Sequence, residues 1–162
     1  SALGAGSGTT DDLTLVVGDL ALYHDTNGLL ALDRCGVDAT VVLINNDGGG
    51  IFHALPIESY EPEFTESFKT PHGVEFEPMA DLHGLEYARI DARPEAVEDG
   101  TEGAEAVADD LSAIVARARD AEGSHLIEVR TDAESSHRTR ERLAAAVDDA
   151  VHGGAVHDDD AN

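Results

Sequence analysis

Two short apolar runs, over 13–17 and 40–44, stop abruptly at turns rich in glycine and side-chain oxygen. The first ends at Gly18-Asp19, the second at Asn45-Asn46-Asp47-Gly48-Gly49-Gly50. Such runs of aliphatic and β-branched residues read as buried strands. Between them Leu22, Leu29, Leu30 and Leu32 keep mostly helical spacing over 20–34, and Gly36 supplies a C-terminal stop. Strand, helix and strand form a βαβ unit with a right-handed crossover. The chain is therefore expected to be an α/β domain, with a mostly parallel sheet flanked by helices on both faces.

The remaining segments extend the same alternation. A short helix near 79–83, a strand over 86–90, a helix over about 104–121, a strand over 125–130 and a last helix over about 133–150 are expected from their periods. Val107, Leu111, Ile114, Val115 and Ala118 fall on one face of the 104–121 helix, which predicts one packed side and one wet side. Residues 56–78 carry Pro56, Pro62, Pro71 and Pro78 with scattered aromatics and no sustained period. They read as an ordered loop with short helical pieces, and so long an excursion beside a Gly-rich strand end suits a lid or a partner contact. Residues 1–150 are expected to form one domain, and the acidic stretch 151–162 a disordered tail.

Charge narrows the partners. The chain has 34 Asp and Glu against 10 Lys and Arg, a net charge of -24, which excludes a nucleic-acid-binding domain. No apolar run approaches the length of a membrane span, and no leader-like segment opens the sequence, so the reading is a cytoplasmic protein. Lys69 is the single lysine, and aspartates outnumber glutamates. That surface fits a proteome working in high salt, where screening removes most of the mutual repulsion. An acidic interaction domain at ordinary ionic strength is the alternative. The single Cys35 excludes an intramolecular disulfide and a cysteine-based zinc cage, and it is expected to be an inert buried thiol at a helix end.

The two strand-end turns carry the chemistry. Ligands of open α/β sheets collect outside the carboxyl ends of strands, so both turns point to one place. A hard cation such as Mg²⁺ takes oxygen ligands and leaves positions for phosphate oxygens. Asp19 offers a carboxylate, Asn46 an amide oxygen and the backbone at Gly48 a carbonyl, while the glycines let a diphosphate approach the main chain. A bridging metal also offsets the repulsion between an acidic protein and a diphosphate. The structural alternative is that Asp19 caps a helix and 45–50 is only a turn.

Gly18-Asp19 followed by Asn45-Asn46, with Asp19 and Asn46 27 positions apart, resembles the cofactor signature of thiamin-diphosphate enzymes. Many members have a third glycine where Leu20 stands here. The strings Gly18-Asp19-Leu20-Ala21-Leu22-Tyr23-His24-Asp25-Thr26-Asn27-Gly28-Leu29 and Asn45-Asn46-Asp47-Gly48-Gly49-Gly50-Ile51-Phe52-His53-Ala54-Leu55-Pro56 resemble the menaquinone-pathway 2-succinyl-5-enolpyruvyl-6-hydroxy-3-cyclohexene-1-carboxylate synthase (MenD) family, in its haloarchaeal type. Leu126-Ile127-Glu128-Val129-Arg130-Thr131-Asp132 is similar to that family's closing strand.

The resemblance implies the thiamin-diphosphate-binding fold, and an enzyme that decarboxylates 2-oxoglutarate and adds the succinyl unit to isochorismate. It implies that Asp19, Asn46 and the Gly48 carbonyl hold Mg²⁺ or Mn²⁺. Gly18, Leu20, Ala21, Asn46, Gly48, Gly49 and Ile51 would meet the cofactor, and Ile51, Phe52 and Leu55 would line an apolar substrate wall that keeps water from the reacting carbon. Core packing is the alternative for those three. The glutamate that activates the cofactor belongs, in this family, to an N-terminal pyrimidine-binding domain met across a homodimer or homotetramer interface. No residue of this chain fills that role, so the chain is expected to be the C-terminal domain of a larger enzyme and inactive alone. Another thiamin-diphosphate enzyme, such as an acetolactate synthase or a 2-oxo-acid decarboxylase, and a non-catalytic half-site module are the competing readings.

Overall fold

The computed structural model describes residues 2–94 and 101–152. The elements run α1 (Ala2–Gly6), β1 (Leu13–Gly18), α2 (Asp19–His24), α3 (Leu30–Cys35), β2 (Ala39–Asn45), α4 (Glu77–His83), β3 (Glu86–Asp91), α5 (Thr101–Asp120), β4 (His125–Arg130) and α6 (Ala133–His152). All four strands are parallel, in the order β1-β2-β4-β3. With right-handed crossovers, the steps β1 to β2 and β2 to β3 run one way across the sheet and put their helices on one face. The return step from β3 to β4 puts α5 on the other. The expected α/β sheet with helices on both faces is what the chain adopts.

Register decides which side chains meet. Val41 lies opposite Leu126 and Leu43 opposite Glu128, so all four project from one face. On that face Leu22, Leu29, Leu32, Phe76, Ala80 and Leu85 from α2, α4 and the segments beside them close over Val41, Leu43 and Leu126 in the main apolar cluster. Leu43 and Leu126 are wholly buried. Truncating either to alanine would cost about 2–5 kcal/mol. The opposite face carries Val42, Ile127, Val129 and Ile90, all buried, and Ala118 of α5 is buried as well. The five apolar positions expected to face inward on α5 are all half-buried or buried, and Gly103 joins them.

Several local expectations are corrected. The helix expected over 20–34 is two short helices parted by a 3-10 turn at Thr26–Gly28, where the Thr26 hydroxyl donates to the Leu22 and Tyr23 carbonyls. Gly36 does end the second one, in the left-handed conformation at φ 61. The polar lead before β1 contains the short helix α1, and α4 begins at Glu77, ahead of the expected start. Cys35 is exposed rather than buried. α6 continues to His152, past the expected boundary at 150, and the rest of the expected acidic tail lies outside the described residues. No helix among the described residues is long and apolar enough to cross a membrane.

Candidate functional site

β1 and β2 are neighbours with Gly18 paired to Ile44, so their carboxyl ends emerge side by side. Gly18 ends β1 in an extended conformation and α2 begins at once with Asp19. Asp19 is only 3% exposed. Its burial is tolerated because both oxygens are engaged. Oδ1 accepts the Leu20 N–H at 2.7 Å, and Oδ2 accepts the N–H groups of Asn46 at 3.2 Å and Gly48 at 2.9 Å. His72 Nε2 stands 3.2 Å from the same Oδ2. One carboxyl group thus binds the end of β1 to the turn that follows β2.

That turn is built for tight backbone approach. Asn45 Oδ1 accepts the Asp47 N–H at 3.0 Å, and Asp47 adopts a left-handed φ of 59, a conformation Asp tolerates better than most residues. Gly48 follows at φ 129, and a Cβ placed there would stand 2.2 Å from the Lys69 carbonyl oxygen. Gly49 donates its N–H to that same Lys69 carbonyl at 2.7 Å. A Cβ on Gly49 would lie 2.4 Å from the Phe68 carbonyl oxygen. Asp47 Oδ1 in turn accepts the N–H groups of His72 and Gly73 at 3.1 and 2.7 Å. The long 56–78 excursion is ordered, with a 3-10 turn at Pro56–Ser59 and a π-helical turn at Thr65–Lys69, and its 68–73 portion is strapped onto the glycine turn.

The candidate residues converge unevenly. Asp19, Asn46 and Gly48 are joined by hydrogen bonds. The Asn46 Oδ1 atom is buried without a hydrogen-bond partner. The Gly48 carbonyl accepts one bond, from Gly50, and keeps a lone pair. Gly18 has open space where a Cβ would sit, and Ala21 is exposed at the start of α2. Ile51 is 72% and Leu55 46% exposed, which overturns core packing for both. Phe52 is half-buried and meets Phe68 edge-on at 5.7 Å between ring centroids.

Asn46, Gly50 and Ile51 line one side of a cleft closed on the other by Ala133, Ser136, His137 and Arg140. Behind it the buried His53 ties the 3-10 turn Gly50–Ala54 to α6. Its Nδ1 lies 2.8 Å from Glu58 Oε1, which also accepts from Arg138 at 3.0 Å, and its ring stacks on that of His137. The bond to His53, aided by the charge of Arg138, holds the Glu58 carboxyl below its usual range. A larger hollow, between β3 and α5, lies at the opposite edge of the sheet from β1 and contains none of the candidate residues.

Residues 1–129 match the family described as "Thiamine pyrophosphate enzyme, C-terminal TPP binding domain". The chain belongs to that family. Similar proteins carry the name 2-succinyl-5-enolpyruvyl-6-hydroxy-3-cyclohexene-1-carboxylate synthase. One from Halorubrum lacusprofundi is 83% identical over 153 residues, 94% of this chain and 24% of that protein. One from Halobacterium salinarum is 56% identical over 147 residues, 91% of this chain and 23% of that protein. A third, from Roseiflexus castenholzii, is 48% identical over 147 residues, 90% of this chain and 23% of that protein. The chain spans about a quarter of the length of the curated relatives it matches.

In this TPP-binding domain, sequence reasoning passed over His72, the Lys69 and Phe68 carbonyls, and the buried pair Asn45 and Glu128. Backbone carbonyls leave no mark in a sequence. Glu128 did leave one, as an acid inside the otherwise apolar run 126–129 of a strand that the sheet buries on both faces.

Proposed function

We propose that this chain is the diphosphate- and metal-binding part of a thiamin-diphosphate-dependent 2-succinyl-5-enolpyruvyl-6-hydroxy-3-cyclohexene-1-carboxylate synthase, a carboligase of menaquinone biosynthesis. The whole enzyme would decarboxylate 2-oxoglutarate and add the succinyl unit to isochorismate in the cytoplasm of a salt-adapted cell. The relatives' shared name and their 83% and 56% identities favour this over an acetolactate synthase or a 2-oxo-acid decarboxylase.

The observation that carries the site assignment is the Asn46 Oδ1 atom, buried and unpartnered on a residue whose backbone N–H is held by the Asp19 carboxyl. A buried amide oxygen left without a donor costs about 1–3 kcal/mol, and a cation removes that cost. The donor set of one carboxylate, one amide oxygen and one backbone carbonyl suits Mg²⁺ or Mn²⁺, which retain positions for phosphate oxygens. Among the described residues no group of three or more His, Cys, Asp or Glu is arranged to hold a metal, so a softer, imidazole- or thiolate-rich centre has no competing claim. Asp19, Asn46 and Gly48 would hold the metal, and the backbone at Gly18, Leu20, Ala21 and Gly49 would meet the diphosphate.

When bound, thiamin diphosphate supplies the carbanion-stabilising chemistry. The chain's own contribution is to orient and to exclude water. Asp19 and the glycine turn fix the charged end, while Ile51, Phe52 and Leu55 present an apolar wall that keeps solvent protons from the reacting carbon. The activating glutamate would come from an N-terminal pyrimidine-binding domain, met across a homodimer or homotetramer interface.

The test is calorimetric titration of thiamin diphosphate into the full-length protein in molar KCl, with and without Mg²⁺. Binding that requires the metal, and that Asp19→Ala abolishes, is expected. Metal-independent binding, or unchanged affinity in the variant, would remove the assignment.

A further inference from the structure

Glu128 is 1% exposed in the middle strand β4, yet both its oxygens accept hydrogen bonds. Oε1 accepts Asn45 Nδ2 at 2.6 Å, and Oε2 accepts the Tyr87 hydroxyl from the edge strand β3. Arg130 Nε lies 3.8 Å from Oε1. The register explains the meeting. Glu128 pairs with Leu43 of β2 on one side and with Arg89 of β3 on the other, so its side chain lies between the alternate positions Asn45 and Tyr87 on the same face. Desolvation first, and the bond to Glu128 second, push the Tyr87 hydroxyl well above its ordinary range, which keeps it a donor.

The bond to Glu128 also fixes the Asn45 amide. With Nδ2 committed to Glu128, Oδ1 must point the other way, where it accepts the Asp47 N–H at 3.0 Å. Asp47 then takes the left-handed conformation and offers its own carboxyl to the His72 and Gly73 N–H groups. His72 closes the circuit on Asp19. A chain of polar contacts thus runs from the sheet interior at Tyr87 and Glu128, through Asn45, to the turn that presents Asn46 and Gly48.

We infer that Glu128, backed by Tyr87, is a positioning residue for the metal turn, clamping the Asn45 amide so that the neighbouring Asn46 oxygen and Gly48 carbonyl are held toward one cation. The inference rests on the metal–diphosphate reading of the site. Removing such an outer partner typically costs about 10–100-fold in metal affinity. Glu128→Gln keeps an acceptor for Asn45, and the Tyr87 hydroxyl can rotate to accept from the new amide.

The experiment is Mg²⁺ titration of the full-length protein with saturating thiamin diphosphate in molar KCl, followed by calorimetry, with melting temperature recorded for each variant. Wild type comes first. If it shows no Mg²⁺-dependent binding, the reading of the site fails and this inference fails with it. Given wild-type binding, Glu128→Ala should weaken apparent Mg²⁺ affinity by about 10–100-fold and Glu128→Gln by less than about threefold. Val129→Ala, a buried truncation one residue away on the other face, should lower the melting temperature with no change in Mg²⁺ affinity. Unchanged Mg²⁺ affinity in Glu128→Ala, or equal weakening in Val129→Ala, would overturn the positioning role while leaving the site reading intact. Should Glu128→Ala fold too poorly to titrate, Tyr87→Phe decides: about a fivefold loss supports the inference, and none overturns it.

Discussion

Asp19 Oδ2 accepts the backbone N–H of Gly48 at 2.9 Å across 29 positions of sequence. The contact joins the two strand ends, and it leaves Gly48 pressed against the Lys69 carbonyl with no space for a side chain.

Gly48→Ala should therefore damage fold and site together. The φ of 129 is strained for any L side chain, and the new methyl would have to displace the Lys69 carbonyl backbone. A stability loss of about 1–3 kcal/mol is expected in chemical denaturation, with cofactor binding weakened in parallel. Gly18→Ala, where the added methyl meets open space, should leave the melting temperature nearly unchanged.

On the proposed function, Phe52→Ala in the full-length protein should lower productive carboligation far more than diphosphate binding. Phe52 packs on Phe68 beside the glycine turn but makes none of the hydrogen bonds that fix Asp19. Parallel kinetics and calorimetry separate the two effects. A matched loss in both would place Phe52 in the general scaffold.

Acid should weaken the sheet's β3 end in a defined window. Asp91 accepts hydrogen bonds from the Arg93 side chain and backbone, which hold its carboxyl down to about 2 from an ordinary 3.8. The depressed value means that the contribution is fully present above the ordinary carboxylate range and is lost as pH falls toward 2. Because the pair is a third exposed, the loss is at most about 1 kcal/mol. Denaturation midpoints measured at pH 5 and pH 2.5 should fall less for Asp91→Asn than for wild type.

The 34 acidic against 10 basic side chains predict a salt requirement. In molar KCl the Debye length shrinks to about 3 Å and the repulsion is screened. Circular dichroism should show structure lost at low salt and regained in molar KCl. Identical spectra in both would refute salt adaptation.

What was legible in the sequence followed from side chains that repeat or stand out. The apolar runs gave all four strands within a residue of their ends, and the α5 face followed from its 3.6-residue period. The Asp19 and Asn46 pairing was legible because a Gly-Asp turn and an Asn-Asn turn are unusual chemistry at two strand ends. The break between α2 and α3 was not, since Leu22 and Leu29 remain buried on either side of it and the apolar spacing carries no trace of the Thr26 bonds that cause it. The strap over the turn was equally hidden. Its contacts are carbonyls of Phe68 and Lys69 on glycine backbone, and its anchor at Asp47 pairs residues 25 and 26 positions apart with no periodicity to announce it.

The division of labour between Asp19 and Asn46 sets how loss-of-function variants at this site must be interpreted. Asp19 is a bracket in the fold and, on the proposed reading, a ligand as well, so its removal leaves three backbone N–H groups without their acceptor and would mix misfolding with lost ligation. The Asn46 amide oxygen supports nothing else in the fold. On the proposed reading, a change at 46 would silence such a domain while keeping its architecture, whereas a change at 19 would erode both, and a degenerate copy that retains Asp19 but not Asn46 is the expected form of an inactive descendant.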